Sequence, residues 1–264
     1  MKSRPNFLIL ICLALVLMGG IAGCGARATG APTLEEPTTV ATAAQDVIAH
    51  RLPTPTLAPT ETPREESPTA TPSATATPGL PPAEHYITAI SGHHQYFPLG
   101  CETAAAKDWA NYFGQDFNEF EFQYKLPLSD NPDFGFVGDV NSPWGQVPPY
   151  GYGVYAGPIA DLLKVYGIPA QAYKGYTLEQ LKAEIAHDRS VIVWVIGNVV
   201  GGVPAAYTDP QGRQVVVAAY EHVVIVTGYN ATHVRYMNNG KFYEAPNAVF
   251  LNSWEVLGNM AVVK

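Results

Sequence analysis

The sequence predicts an α+β domain: an N-terminal helical half carrying a lone cysteine, packed on an antiparallel sheet carrying a histidine. Three observations predict it. Helical patterns fill the first part of residues 83–264 and apolar β-branched runs fill the second. Of the three cysteines, only Cys101 falls in that region. His222 stands at the start of a strongly apolar run, Glu221-His222-Val223-Val224-Ile225-Val226.

Taken in order, residues 1–23 read as an export signal. Lys2 and Arg4 form a positive end, and the apolar stretch Phe7 to Met18 is too short to span a bilayer comfortably. It leads into Ile21-Ala22-Gly23-Cys24, which resembles a bacterial lipobox and implies cleavage before Cys24, diacylation of its sulfur and often acylation of its new amine, with chains such as palmitate. Two or three acyl chains would hold the protein stably on a membrane. Residues 24–82 are a lipid-anchored stalk of repeated Pro-Thr and Ala-Thr, whose small side chains bury too little area to offset the entropy of ordering. In the polyproline state its last 31 residues reach roughly 95 Å. The expected location is therefore extracytoplasmic, tethered to a bacterial membrane.

Within the domain, Ala104 to Phe113 is an Ala-rich helix stopped by Gly114, and Asn118 to Tyr124 adds a short one. Residues 127–153 form a long loop rich in Gly, Pro and aromatics, a length that usually signals function. Ile159, Leu162, Leu163 and Tyr166 share a helical face ending at Gly167. Leu178, Leu181 and Ile185 mark a further helix, begun by Thr177 with Gln180 at capping-box spacing. Val191 to Ile196, Val215 to Ala219, Val223 to Thr227 and Val234 to Met237 read as strands, with Asn259 to Val263 closing the sheet. Phe250, Trp254 and Leu257 suggest a late helix.

An unpaired cysteine in an exported protein needs a reason. Cys101 lies at a helix start, where unsatisfied N–H groups favour a thiolate, and a nearby imidazolium would lower its pKa further. His222 is the candidate base; His93 and His94 are its rivals. A third group normally fixes the imidazole tautomer. Asn238 at the end of the next strand fits that role, with Asn239 and Asn252 as alternatives. The Gln95 amide, six residues before Cys101, is placed to donate to an oxyanion. Phe134, Trp144 and Tyr150 in the long loop are candidates for a substrate cleft. The histidines lack ligand spacing and one cysteine makes no thiolate cage, so neither a metal nor a cofactor is expected. A net charge of −8 without a basic stripe argues against nucleic acid as a partner.

The sequence resembles the papain-like cysteine peptidases, and among them the bacteriocin-leader or double-glycine peptidase-like family. The resemblance rests on Gln95 with Gly100-Cys101-Glu102, on Asn111-Tyr112-Phe113-Gly114, and on Asp130-Asn131-Pro132 with Gly135-Phe136-Val137-Gly138. It continues through Tyr152-Gly153-Val154-Tyr155, Tyr166-Gly167, Glu221 to Tyr229, and Phe250, Trp254 and Gly258. It implies a papain-like fold and cleavage of peptide bonds, with Cys101 as nucleophile, His222 as base, Asn238 as orienter and Gln95 in the oxyanion hole. The family usually has Asp followed by Pro at the third position, where this chain has Asn238-Asn239. The expected function is a membrane-anchored thiol peptidase, a hydrolase of peptide or isopeptide bonds acting through a thioester, most simply as a monomer. The substrate class is a peptide or protein, cell-wall peptide included. Two alternatives differ in kind: a degenerate binding module for a cell-wall polymer or protein, and a cell-wall peptide amidase or acyl transferase.

Overall fold

The structure, a computed structural model, describes residues 81–264. The export signal, Cys24 and the stalk as far as residue 80 lie outside the described residues.

The chain enters through a short strand β1 (His85–Tyr86) and reaches α1 (Cys101–Tyr112), α2 (Glu119–Lys125) and α3 (Ala156–Val165). Strand β2 (Gln171–Tyr173), α4 (Leu178–Ile185) and β3 (Val191–Ile196) follow. Then come β4 (Ala205–Thr208), β5 (Gln214–Val217), β6 (Glu221–Tyr229), β7 (His233–Asn238), β8 (Lys241–Pro246), α5 (Asn247–Glu255) and β9 (Ala261–Val263). The main sheet runs β2-β9-β3-β6-β7-β8, every pairing antiparallel, with β1 added to β6.

Every residue of β3 and β6 is buried, as expected of strands covered on both faces. Helices α1 and α4 pack on β6, and α5 packs on β3. The first helix ends as its sequence predicts: Gly114 takes φ +76°, and the Gln115 N–H reaches back to the Ala110 carbonyl at 3.0 Å. The capping box at Thr177 forms in both directions. These contacts fix the two elements that carry the chemistry, α1 and β6, against each other.

Three expectations change. Val215 to Ala219 does form a strand, but it pairs only with β4, as a ribbon outside the main sheet. The C-terminal strand does not close the sheet; β9 lies inside it, between β2 and β3. Strand β8 was not expected, because Lys241, Glu244 and Pro246 give it a polar, exposed character, which suits an edge strand.

Candidate active site

Cys101 is the first residue of α1, after the N-cap Gly100, and it is 6% exposed. His222, the second residue of β6, is 7% exposed, and its backbone pairs with Val195 of β3. Cys101, His222, Asn238, Asn239 and Gln95 line one narrow cavity, so the helix start and the strand start meet as the sequence implied. A wider cavity of about 260 Å³ opens in front of His222, between Gln95 and Pro98 on one side and Trp144 and Asn198 on the other.

The imidazole orientation is built from three amide and hydroxyl groups. His222 Nε2 lies 2.8 Å from Asn238 Oδ1. The Asn238 amide in turn donates from Nδ2 to Asn198 Oδ1 at 2.9 Å, and the Tyr236 hydroxyl donates to that same oxygen at 3.2 Å. Asn198 therefore fixes which end of the Asn238 amide faces His222. An oxygen there requires a proton on Nε2, which leaves Nδ1 as the basic nitrogen. Burial holds His222 below its ordinary pKa, and the Asn238 hydrogen bond opposes that only in part. The resting imidazole is neutral.

The structure differs from the expected thiolate. Burial pushes the Cys101 thiol well above its usual pKa, and the Glu102 and Glu221 carboxyls push it further; the Val223 N–H opposes them. The thiol donates to Glu102 Oε2 at 3.2 Å, not to His222. Glu102 Oε1 also accepts the Val154 N–H at 2.7 Å. That approach depends on Gly153, at φ +124°, where a Cβ would sit 2.1 Å from Glu102 Oε1. Cys101 Sγ and one oxygen from each of Glu102 and Glu221 lie within 4.8 Å of one another, all buried. Both glutamates stand in the motifs that carry the cysteine and the histidine, but neither was expected to act.

The other candidate residues are distributed as follows. Gln95 lines the cavity, but its amide donates to the Phe97 and Pro98 carbonyls, at 2.8 and 3.1 Å. Its backbone N–H is held by Asn239 Oδ1 at 2.9 Å, so Asn239 positions the Gln95 loop rather than the imidazole. Asn252 lies on α5 and lines a separate cavity with Tyr155 and Lys174. Trp144 stands beside His222, with ring centroids 6.0 Å apart, and its indole donates to the Glu221 carbonyl at 2.8 Å. Tyr150 is exposed and lines neither cavity that holds His222. Phe134 lies under the Arg213 guanidinium, 3.9 Å from it, and lines a cavity with Lys125 and Leu162.

Of the rival bases, His94 donates from Nδ1 only locally, to the Gln95 carbonyl. His93 is bonded on both ring nitrogens, to Asp108 and to Glu119, each at 2.7 Å. Its backbone N–H also donates to Asp108, at 3.1 Å. Although burial opposes the charge, these carboxylates raise the His93 pKa. The cluster straps the segment that leads to Gln95, and sequence reasoning missed it because its three residues are dispersed.

Comparisons with known proteins bear on the family and the fold. The Peptidase_C39 like family matches residues 81–262. None of the curated proteins matches the sequence. Among solved structures, one described as a C39-like peptidase from Bacillus anthracis is similar at 22% identity and a TM-score of 0.60, over 68% of this chain and 96% of that one. Another, xylellain, a cysteine protease from Xylella fastidiosa, is 14% identical with a TM-score of 0.40, over 70% of this chain and 86% of that one.

Proposed function

This chain belongs to the Peptidase_C39 like family and is a cysteine peptidase, and on that premise we propose that Cys101, His222 and Asn238 carry out the hydrolysis. The observation that carries the proposal is the His222–Asn238 hydrogen bond of 2.8 Å on the cavity that Cys101 also lines. With Nε2 protonated, Nδ1 is the site that takes the thiol proton as sulfur attacks the carbonyl carbon. The C–S bond forms, and the peptide C–N bond breaks as His222 returns that proton to the leaving amine. Water then hydrolyses the thioester, with the same imidazole as base. Because both partners are neutral at rest, proton transfer accompanies attack instead of preceding it.

The oxyanion forms beside the start of α1, where the Cys101 N–H and a Gln95 amide released from one of its two carbonyl partners would stabilise it. The 260 Å³ cavity, floored by His222 and walled by Trp144, suits an extended peptide rather than a bulky fold. We place the enzyme outside the cytoplasm, anchored through acylated Cys24 and held off the membrane by its stalk. To test the function, the full chain is incubated with a mixed peptide library and new termini are read by mass spectrometry. The proposal expects cleavage that disappears in Cys101→Ala. An intact library, together with library peptides retained equally by wild type and Cys101→Ala, would favour the binding-module reading instead.

A further inference from the structure

Behind the nucleophile two carboxyls are buried without a counter-charge. Glu102 and Glu221 are 1% and 3% exposed, and among the described residues neither forms an ion pair with a Lys, Arg or His. Their surroundings are unequal. Glu102 accepts two hydrogen bonds, from the Val154 N–H and from the Cys101 thiol. Glu221 Oε1 has no partner at all. A buried carboxylate with no donor is far costlier than a buried neutral acid, so the two sites do not hold the same charge.

We propose that Glu221 carries a proton while Glu102 is ionised, and that this pair latches Cys101 in its thiol form, bonded to Glu102 and kept from His222 until substrate arrives. The proposal rests on the peptidase reading and adds a regulatory element to it. No covalent step is involved: one proton resides on Glu221, a second on sulfur, and release of the latch is a rotation of the Cys101 side chain that moves the S–H from Glu102 to His222 Nδ1.

Cys101 lies beside Glu102 on α1, and His222 beside Glu221 on β6. From the loop before α3 come the Val154 N–H and Tyr152, whose phenol is engaged with the Tyr155 hydroxyl at 2.9 Å and the Ala218 N–H at 3.2 Å. None of these brings a positive charge. Burial pushes Glu102 up to about 7 and Glu221 well above the carboxylate range, and the Glu102 charge pushes Glu221 further, in keeping with one proton in the pair near neutrality. The pair titrates as a unit. Below about pH 7 Glu102 takes a proton and becomes a weaker acceptor for the thiol.

Two measurements on the full chain test this. Infrared difference spectroscopy at neutral pH reads the C=O stretch of protonated carboxyls, and alkylation by iodoacetamide, localised to Cys101 by mass spectrometry, reads the latch. Neither requires turnover, so failure here is separable from failure of the peptidase reading, which is judged by peptide cleavage in Cys101→Ala. The expected result is a protonated-carboxyl band in wild type that is lost in Glu221→Gln. In Glu102→Gln, which keeps the Val154 contact and turns a donor toward sulfur, alkylation at neutral pH should be several-fold faster. A wild-type band that survives in Glu221→Gln, no band in either protein, or alkylation unchanged or slower in Glu102→Gln would overturn the proposal. Retention of the wild-type circular dichroism spectrum by both variants confirms that the comparison is made on folded protein; should Glu102→Gln fail to fold, the band in Glu221→Gln decides alone.

Discussion

Replacing Asn238 by alanine removes the one side chain that holds the His222 ring. The bond is 2.8 Å long, and Asn238 is itself half-buried. In the resting enzyme it joins two neutral groups, a contribution of about 0.5–1.5 kcal/mol. In the transition state the ring becomes imidazolium, and a hydrogen bond to a charged group contributes about 1.5–3 kcal/mol. Only the difference acts on the rate, about 1–1.5 kcal/mol, or roughly five- to fifteen-fold in kcat/KM. Loss of tautomer control adds to this, because the ring is then free to carry its proton on Nδ1, where it is useless as a base. Asn198→Ala leaves the Asn238–His222 bond in place but frees the amide to turn, so it should cost less than Asn238→Ala. The assay is kcat/KM on a cleaved library peptide for wild type and both variants, with melting temperatures as a check on folding. A folded Asn238→Ala enzyme within twofold of wild type would refute the orienting role, and a larger loss in Asn198→Ala would refute the order of the relay.

Four further outcomes are expected. Asn238→Asp places a carboxylate at His222 Nε2, so the imidazole pKa rises and the acid limb of kcat/KM moves to higher pH, by about one to three units; a limb that stays put would contradict the contact. Gln95→Ala should lower kcat by about 10²–10³ with little change in KM, whereas a purely raised KM would remove Gln95 from the oxyanion site. His93, Asp108 and Glu119 all have raised pKa values, so each binds protons more tightly folded than unfolded. Their contribution is present below the unfolded values and falls as pH rises through the folded ones, so the melting-temperature gap between wild type and His93→Gln should narrow from pH 6 toward pH 8; a widening gap would reverse the sign. Radiolabelled palmitate fed to expressing bacteria should enter wild type and not Cys24→Ala, and equal labelling would remove the lipid anchor.

Cys101, His222 and Asn238 were legible because each marks an element boundary: a helix start, a strand start and a strand end. Local pattern locates boundaries well enough to bring three residues to one place. It does not report where a side chain points, and so Phe134 and Tyr150, plausible for a cleft by composition, fall elsewhere while Trp144 stands at His222. Nor does it report burial of charge. The expectation of an activated thiolate weighed the helix N-terminus and the imidazole, but omitted the two carboxyls that the fold sets against sulfur. Strand β8 escaped for a related reason: an exposed edge strand carries no apolar alternation to read. Asn198 sits in a connection after β3 and acts only through another amide, which no spacing rule detects.

The most direct test of the central assignment is capture of the acyl-enzyme. Wild type and His222→Ala full chains are mixed with a cleavable peptide, quenched in acid within seconds, digested, and the peptide containing Cys101 is weighed. The account predicts a thioester-linked acyl group on Cys101 in wild type that is absent in His222→Ala. Cleavage without any adduct on Cys101, or an adduct that forms equally well without His222, would contradict it.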